Sequence, residues 1–184
     1  MTPQYPDMKR RSEEMYQGPP DPTCPGLEVP GWMTEGEMRW LYAQAQKMNS
    51  IVEIGCLIGR STTPLLAGCK GPVWAIDCWT AENTMGLTYF IQNCGKYDNL
   101  RVIHDYSHKA VNYIPDIEMT FIDGDHTYQS ITEDIEDWLP KTSRLLCGHD
   151  FSHPDHPGVK QRVIEVFGDN FKIVESESIW YVEL

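Results

Sequence analysis

The sequence has few basic residues, no long apolar run and no paired cysteine motif. Its 184 residues contain 15 Lys and Arg against 27 Asp and Glu, a formal net charge of −12. A nucleic-acid partner requires a basic face and a membrane span requires about 20 apolar residues, so we expect neither kind of partner. The six cysteines show no C-x-x-C pair or zinc-type spacing, which predicts reduced thiols and a cytoplasmic protein.

The prolines are concentrated at one end of the chain. Residues 1–30 hold seven of the 13 prolines, separated by charged and polar residues. This composition predicts an irregular arm that lies on the surface or across a neighbouring copy, and the second possibility makes a homodimer an open hypothesis. Residues 31–184 are long enough for one domain with a substantial buried core.

The rest of the chain alternates strand patterns with helix patterns. Thr34 and Glu37 form a capping box that predicts a helix start, and a final pair of strands separated by three residues predicts an antiparallel hairpin. Five apolar runs predict the preceding strands: Ile51–Ile54, Val73–Ile76, Arg101–Ile103, Met119–Ile122 and Arg144–Cys147. Such alternation predicts an α/β fold, a doubly wound and mostly parallel sheet covered by helices on both faces.

Each of these five strands ends in polar or charged residues. Because open α/β sheets bind ligands beyond the carboxyl ends of their strands, we expect one functional site along this edge. The residues concerned include Glu53, Asp77, the run 104–107, Asp123 with Asp125 and His126, and His149 with Asp150.

The segment IVEIGCLIGRST, residues 51–62, is a strand, a glycine turn and a helix start. Gly55 permits a sharp turn and a close ligand approach, whereas Leu57 stands where the dinucleotide fingerprint has a second glycine. The carboxylate of Glu53 would repel a pyrophosphate and would suit a cationic cofactor such as S-adenosylmethionine. A Rossmann-type oxidoreductase is therefore the weaker alternative.

Two further segments extend the expected cofactor site. Asp77, in AIDCW, follows Gly55 by 22 positions and is placed to accept hydrogen bonds from ribose hydroxyls. Trp79 either covers an adenine face or packs in the core. In HDYS, residues 104–107, Asp105 and Ser107 can bond the adenine edge, although Ser107 is also a good helix N-cap.

With these motifs, and with FIDGDHTY (121–128), GHDF (148–151) and HPGV (156–159), the chain resembles class I S-adenosylmethionine-dependent methyltransferases. It is most similar to the small O-methyltransferase-like group that includes macrolide and aminocoumarin sugar O-methyltransferases. The resemblance implies a Rossmann-like sheet of about seven strands whose last strand is antiparallel. It also implies that Glu53, Gly55 and Ser61 surround the methionine end of the cofactor. The full predicted cofactor set is Glu53, Gly55, Cys56, Gly59, Ser61, Asp77, Cys78, Trp79, Asp105, Tyr106, Ser107 and Asp123.

Acids and histidines crowd the ends of the fourth and fifth strands. Unpaired carboxylates so close together would repel one another unless a cation lies among them, which predicts a divalent ion. The resemblance assigns Asp123, His149 and Asp150 as its ligands. Magnesium is the expected ion, and manganese, iron or zinc become the alternatives when imidazole coordinates.

The same resemblance gives Asp125 as the general base for a small-molecule acceptor, and His126 is the second candidate because it titrates near neutral pH. Arg60 looks like a solvated charge. A protein that binds S-adenosylmethionine without catalysis remains an alternative, because it would keep the first two segments without needing the acid and histidine cluster.

Overall fold

In the computed structural model, residues 24–80, 84–174 and 178–184 are described. Seven strands form one sheet: β1 (Ile51–Ile54), β2 (Val73–Asp77), β3 (Leu100–His104), β4 (Ile117–Ile122), β5 (Thr142–Gly148), β6 (Lys172–Ile173) and β7 (Trp180–Glu183). Their order across the sheet is β3-β2-β1-β4-β5-β7-β6. Strands β1 to β5 pair in parallel, and β7 runs antiparallel to both β5 and β6. The predicted Rossmann-like sheet with an antiparallel last strand is confirmed.

Helices cover both faces of the sheet. The described helices are α1 (Glu35–Ala45), α2 (Thr62–Gly68), α3 (Thr84–Cys94), α4 (Ser107–Ala110), α5 (Tyr128–Trp138) and α6 (Pro157–Phe167), with a 3₁₀ turn at Leu139–Lys141. One buried apolar cluster joins the sheet to α1, α2 and α3, and a second joins it to α4, α5 and α6. Alternate residues of β1 divide between them, since Ile51 belongs to the first cluster and Val52 to the second.

The start of α1 follows the predicted capping box. The Glu37 amide donates to Thr34 Oγ1 at 3.3 Å, and the Thr34 amide donates to Glu37 Oε2 at 2.7 Å. The helix after β3 spans Ser107–Ala110. Its N-cap is Tyr106, so the alternative interpretation of Ser107 as the cap is wrong.

The predicted arm falls partly outside the described residues, which begin at residue 24. From there on the chain packs against the domain, since Cys24 and Val29 are buried. All six cysteines lie within the described ranges and are free thiols. Across those ranges, no helix combines the length and the apolar character needed to cross a bilayer.

Candidate active site at the carboxyl edge of the sheet

A cavity of about 1110 Å³ opens at the carboxyl edge of the sheet. It lies where the strand order reverses between β1 and β4, the usual ligand position in such sheets. Small-molecule sites commonly span about 300–1,000 Å³, so the cavity has room for a nucleoside-sized molecule and a second ligand. Among the predicted site residues, the following line it: Gly55, Cys56, Ser61, Asp77, Cys78, Asp105, Tyr106, Ser107, Asp123, Asp125, His126, His149 and Asp150.

The glycine turn brings the ends of β1 and β4 into contact. Gly55 has φ +84°, and a Cβ there would lie 2.1 Å from the carbonyl oxygen of Asp123. The missing side chain therefore admits the neighbouring strand end. Gly55 also lines the cavity, and the close approach of a ligand there stays a prediction. Leu57, at the position of the missing second glycine, also has a positive φ of 45°, a conformation that a leucine adopts only when its surroundings impose it.

Asp77 imposes that conformation by binding the backbone of the turn. Its Oδ2 accepts hydrogen bonds from the amides of Cys56 at 2.9 Å and Leu57 at 2.8 Å, and its Oδ1 accepts one from the Trp79 amide at 2.9 Å. A carboxylate offers about four acceptor positions, so about one remains for a ribose hydroxyl. Asp77 lines the cavity and has a structural role in the turn, and its contact with a ribose stays a prediction.

Trp79 lies in the hydrophobic core and packs beneath the glycine turn, on the side away from the cavity, whose lining does not include it. Its side chain is 2% exposed and packs against Phe90, with 5.0 Å between ring centroids. Its Nε1 donates to the carbonyl oxygen of Leu57 at 2.7 Å. The prediction that Trp79 covers an adenine face gives way to the alternative of core packing, because the indole is already enclosed.

Glu53 lies beneath the turn instead of facing the cavity. It is fully buried on the same face of β1 as Ile51, and burial raises the pKa of its carboxyl to about 7. Its Oε1 accepts a hydrogen bond from Ser61 Oγ at 2.5 Å, and Ser61 does line the cavity. Glu53 therefore holds Ser61 at the cavity wall and does not itself line the cavity, so its predicted direct contact with a cationic cofactor is corrected.

Gly59 also serves packing. A Cβ at this position would lie 2.3 Å from Cys94 Sγ and 3.3 Å from a ring carbon of Phe90 on α3. The residue, predicted as a cofactor contact, instead lets the turn pack closely on that helix.

The polar run after β3 forms another wall of the cavity. The Tyr106 amide donates to Asp105 Oδ1 at 2.8 Å, and the Tyr106 ring is about half exposed. Ser107 Oγ donates to Asp134 Oδ1 on α5. Burial raises the pKa of Asp134 to about 6. Sequence reasoning missed Asp134, although its place beside Ile131 and Ile135 on the apolar side of α5 is a recognisable signal.

The predicted acids and histidines at the ends of β4 and β5 do come together. His126 Nε2 lies 2.9 Å from Asp150 Oδ2 and 3.5 Å from Asp123 Oδ1. His149 Nδ1 lies 3.4 Å from Asp150 Oδ1 and 3.7 Å from Asp123 Oδ1. Asp150 adopts a left-handed conformation, φ +61°, which aspartate tolerates better than most residues.

Protonated imidazoles act as counter-ions for these carboxylates, a role that a bound cation would take over. Burial opposes the charged form of His126, but its hydrogen bonds to Asp123 and Asp150 outweigh burial and raise its pKa to about 9. The pKa of His149 is likewise raised, because Asp123, Asp150 and Glu37 surround it. The close contact with His126 and the nearby charge of His149 overcome the effect of burial on Asp150 and lower its pKa well below the usual range. Burial raises the pKa of Asp123.

Asp125 is committed to the start of α5. Its carboxylate oxygens accept hydrogen bonds from the Thr127 amide at 3.2 Å, Thr127 Oγ1 at 3.3 Å and Ser130 Oγ at 2.8 Å. Burial opposes ionisation, but these bonds lower its pKa. A carboxylate held in this way is a weak base. The structure therefore disfavours Asp125 as the general base. His126 is the other candidate, and it can accept a proton only when a cation among the carboxylates replaces it as their counter-ion, since its pKa is otherwise about 9.

Two residues at the cavity were missed by sequence reasoning. Glu37 is 2% exposed, and its Oε1 lies 3.1 Å from His149 Nε2. Arg60, expected to be solvated, is 7% exposed. Its Nε donates to the Met33 carbonyl oxygen at 2.9 Å, and its Nη1 donates to the carbonyl oxygens of Leu27 and Val29. Arg60 thereby fixes the segment before α1 against the glycine turn. No local sequence signal marks either contact, since both partners are distant in the chain.

A family model described as a methyltransferase domain matches residues 52–151, more than half of the chain. The chain belongs to the methyltransferase domain family. The predicted class of S-adenosylmethionine-dependent methyltransferase is confirmed at this level, and the oxidoreductase alternative is set aside. No curated protein matches the sequence significantly.

Solved structures of this fold include methyltransferases with different acceptors. An O-methyltransferase from Bacillus cereus in complex with SAH is 16% identical, with TM-score 0.62 and coverage of 100% of this chain and 93% of that one. The O-methyltransferase TomG from Streptomyces achromogenes, involved in tomaymycin synthesis and bound to SAM, is 15% identical, with TM-score 0.62 and coverage of 83% and 81%. An rRNA methylase from Streptococcus thermophilus is 16% identical, with TM-score 0.58 and coverage of 83% and 97%. Likeness at this distance shows the fold alone.

The cavity of this methyltransferase fits S-adenosylmethionine in its chemistry. The cofactor carries a cationic sulfonium and a cationic ammonium group. The cavity wall presents the carboxyl groups of Asp77, Asp105 and Asp123. The guanidinium of Arg60, which also lines the cavity, is hydrogen-bonded to backbone carbonyl oxygens. The acceptor position left on Asp77 suits a ribose hydroxyl. Ser61, held by Glu53, is the polar group at the turn itself.

The second cluster of this methyltransferase also fits a cation. Asp123, His149 and Asp150 each offer one ligand atom, and these atoms lie within 4.8 Å of one another. Two ligand atoms that share one ion at about 2.1 Å stand roughly 3.0–3.5 Å apart. The separations of 3.4 Å and 3.7 Å around His149 Nδ1 are close to this range and longer than ordinary hydrogen bonds.

Proposed function

We propose that this methyltransferase transfers the methyl group of S-adenosylmethionine to a hydroxyl of a small molecule or sugar, and that a divalent cation held by Asp123, His149 and Asp150 assists. One observation carries the proposal. A single cavity contains both the glycine turn with Asp77 and the cluster of acids and histidines. A methyl donor at the turn and a hydroxyl at the cluster therefore share one enclosed space.

The bound groups supply an activated methyl group and a Lewis acid that favours loss of the hydroxyl proton. The protein has to align the reactants and take the proton. Alignment contributes about 7–11 kcal/mol in favourable cases. Asp77 and Ser61 hold the turn side of the cavity in place, and His126 presents Nε2 beside Asp150 and Asp123. Once a cation compensates Asp123 and Asp150, His126 no longer has to stay protonated, and its Nε2 is then the base beside the proposed cation site.

Charge supports a small acceptor over RNA. The net charge of −12 opposes a phosphate backbone, although rRNA methylases share the fold. Trp32 lines the cavity with its side chain 46% exposed, which gives a sugar or a ring a flat apolar surface. The free thiols support a reducing compartment such as the cytoplasm. A homodimer through the arm at residues 1–30 stays a proposal, tested by light scattering.

The test is formation of S-adenosylhomocysteine with a panel of sugars and phenols, measured with EDTA and with added Mg²⁺ or Mn²⁺. We expect turnover that EDTA removes and a divalent ion restores. We also expect His126→Gln to lower kcat by about 100-fold or more while S-adenosylmethionine still binds. Asp125→Asn, at the adjacent cavity position, serves as the comparison and should lose less.

Three outcomes would contradict parts of the proposal. Cofactor binding without turnover on any hydroxyl acceptor would favour the non-catalytic alternative. Full turnover in EDTA would exclude a role for the cation in the reaction. A greater loss for Asp125→Asn than for His126→Gln would return the base to Asp125.

A further inference from the structure

We propose that Glu37 is a positioning residue that fixes the ring of His149 and makes the cation site prefer a transition-metal ion, such as Mn²⁺, Fe²⁺, Co²⁺ or Zn²⁺, over Mg²⁺. The inference rests on the proposed cation site. It reverses the expectation of magnesium and gives a role to a residue outside the family match at 52–151.

The burial of Glu37 calls for a second role beside its capping box. Its Oε2 serves the cap, accepting from the Thr34 amide at 2.7 Å and from Thr34 Oγ1 at 3.0 Å. A capping box works at the protein surface, yet Glu37 is only 2% exposed. A carboxylate is buried at a cost of several kcal/mol unless a partner compensates it. The other oxygen, Oε1, has such a partner in His149 Nε2, 112 residues away in the chain.

The contact with Glu37 decides which nitrogen of His149 faces the cluster. A carboxylate oxygen only accepts, so His149 Nε2 must donate to it and carries a hydrogen. The opposite nitrogen, Nδ1, is then directed at Asp150 Oδ1 and Asp123 Oδ1. A carboxylate that holds the far nitrogen of a metal-binding histidine is a recurrent support for such ligands, because it fixes both the tautomer and the orientation of the ring.

A fixed imidazole nitrogen changes which ion the site prefers. Mg²⁺ takes oxygen ligands in a near-ideal octahedron, whereas imidazole nitrogen suits manganese, iron, cobalt and zinc. With Nδ1 presented between two carboxylates, the site offers one nitrogen and two carboxylate ligands. The preference for a transition metal thus depends on Glu37 as well as on His149.

The test compares metal binding by the intact protein and two variants, with no acceptor present. In Glu37→Gln, the amide carbonyl can keep the capping box, but the amide NH₂ then faces His149 and no longer accepts from Nε2. Thr34→Val is the matched control, because it breaks the same capping box without touching His149. Binding of CoCl₂, MnCl₂ and MgCl₂ is followed by calorimetry, and the visible absorption of Co²⁺ reports its ligands.

We expect the unmodified protein to bind Co²⁺ and Mn²⁺ at least about tenfold more tightly than Mg²⁺. We expect Glu37→Gln to weaken Co²⁺ binding by about 10–100-fold, the usual loss when such a support is removed, and to change the Co²⁺ spectrum. Mg²⁺ binding should change little. Thr34→Val should keep the Co²⁺ affinity and spectrum, and circular dichroism confirms that both variants fold.

Tighter binding of Mg²⁺ than of Co²⁺, or equal Co²⁺ binding by Glu37→Gln and Thr34→Val, would overturn the role of Glu37. Either result leaves the proposed methyl transfer and the cation in place. Failure of the unmodified protein to bind any of the three ions would overturn both the cation and the inference drawn from it.

Discussion

Replacing Asp134 by Asn should stabilise the protein at neutral pH. Asp134 is 5% exposed, and burial, with the nearby acids Asp137 and Glu133, raises its pKa to about 6 from the ordinary value of 3.8. A carboxyl whose pKa is higher in the folded state costs stability once it ionises. The cost is absent below about pH 4, grows between about pH 4 and 6, and is fully present above pH 6.

The shift of about two pKa units corresponds to roughly 3 kcal/mol at pH 7.5. Asn keeps an oxygen that accepts from Ser107 Oγ, so the main hydrogen bond survives the change. Because the amide is itself buried, we expect a net gain of about 1–3 kcal/mol at pH 7.5 that disappears near pH 4. Ser107→Ala should have the opposite sign, with its larger cost at pH 7.5.

Urea unfolding followed by tryptophan fluorescence, repeated from pH 4 to pH 8 without ligands, measures both differences. A gain for Asp134→Asn that is the same at every pH would mean that packing, and not ionisation, is responsible. No gain at pH 7.5 would refute the reasoning, since it would show that Ser107 and water already compensate the charge.

Three further changes probe the turn and its supports. Gly55→Ala should cost at least about 3 kcal/mol in urea unfolding, because its Cβ would lie 2.1 Å from the Asp123 carbonyl oxygen at φ +84°; a loss below about 1 kcal/mol would contradict this. Arg60→Met should cost about 2–4 kcal/mol and speed amide hydrogen exchange in residues 27–33, and unchanged exchange there would exclude Arg60 as their anchor. Trp79→Phe should lower the free energy of unfolding by about 1–2 kcal/mol, because the Leu57 carbonyl oxygen loses its donor. It should also weaken the binding of S-adenosylmethionine measured by calorimetry, and an unchanged affinity would show that the indole does not shape the turn for the cofactor.

Much of the fold could be predicted because its signals are local. The capping box of Thr34 and Glu37 marks the start of α1, and apolar runs that end in acids mark the strands. These signals also gave the edge of the sheet at which the cavity lies.

The individual roles at the site depend on contacts between distant segments. Glu53 looks like a ligand contact in sequence. The alternation along β1 instead directs it to the face covered by α1, α2 and α3, where it accepts a hydrogen bond from Ser61. The Trp79 side chain is buried and donates a hydrogen bond to the Leu57 carbonyl oxygen. Asp125 accepts hydrogen bonds from Thr127 and Ser130. A sequence motif therefore predicts the position of a site more reliably than it predicts the role of each residue in the motif.

The buried guanidinium of Arg60 limits how far the chain can be shortened from its N-terminal side. The family match begins at residue 52, yet the carbonyl oxygens that accept hydrogen bonds from this group belong to Leu27, Val29 and Met33. A fragment cut at the family boundary would enclose a cation without acceptors, and β5 would lack β7 beside it. Any shortened version made for crystallisation or engineering should therefore begin before Leu27 and retain the final strand.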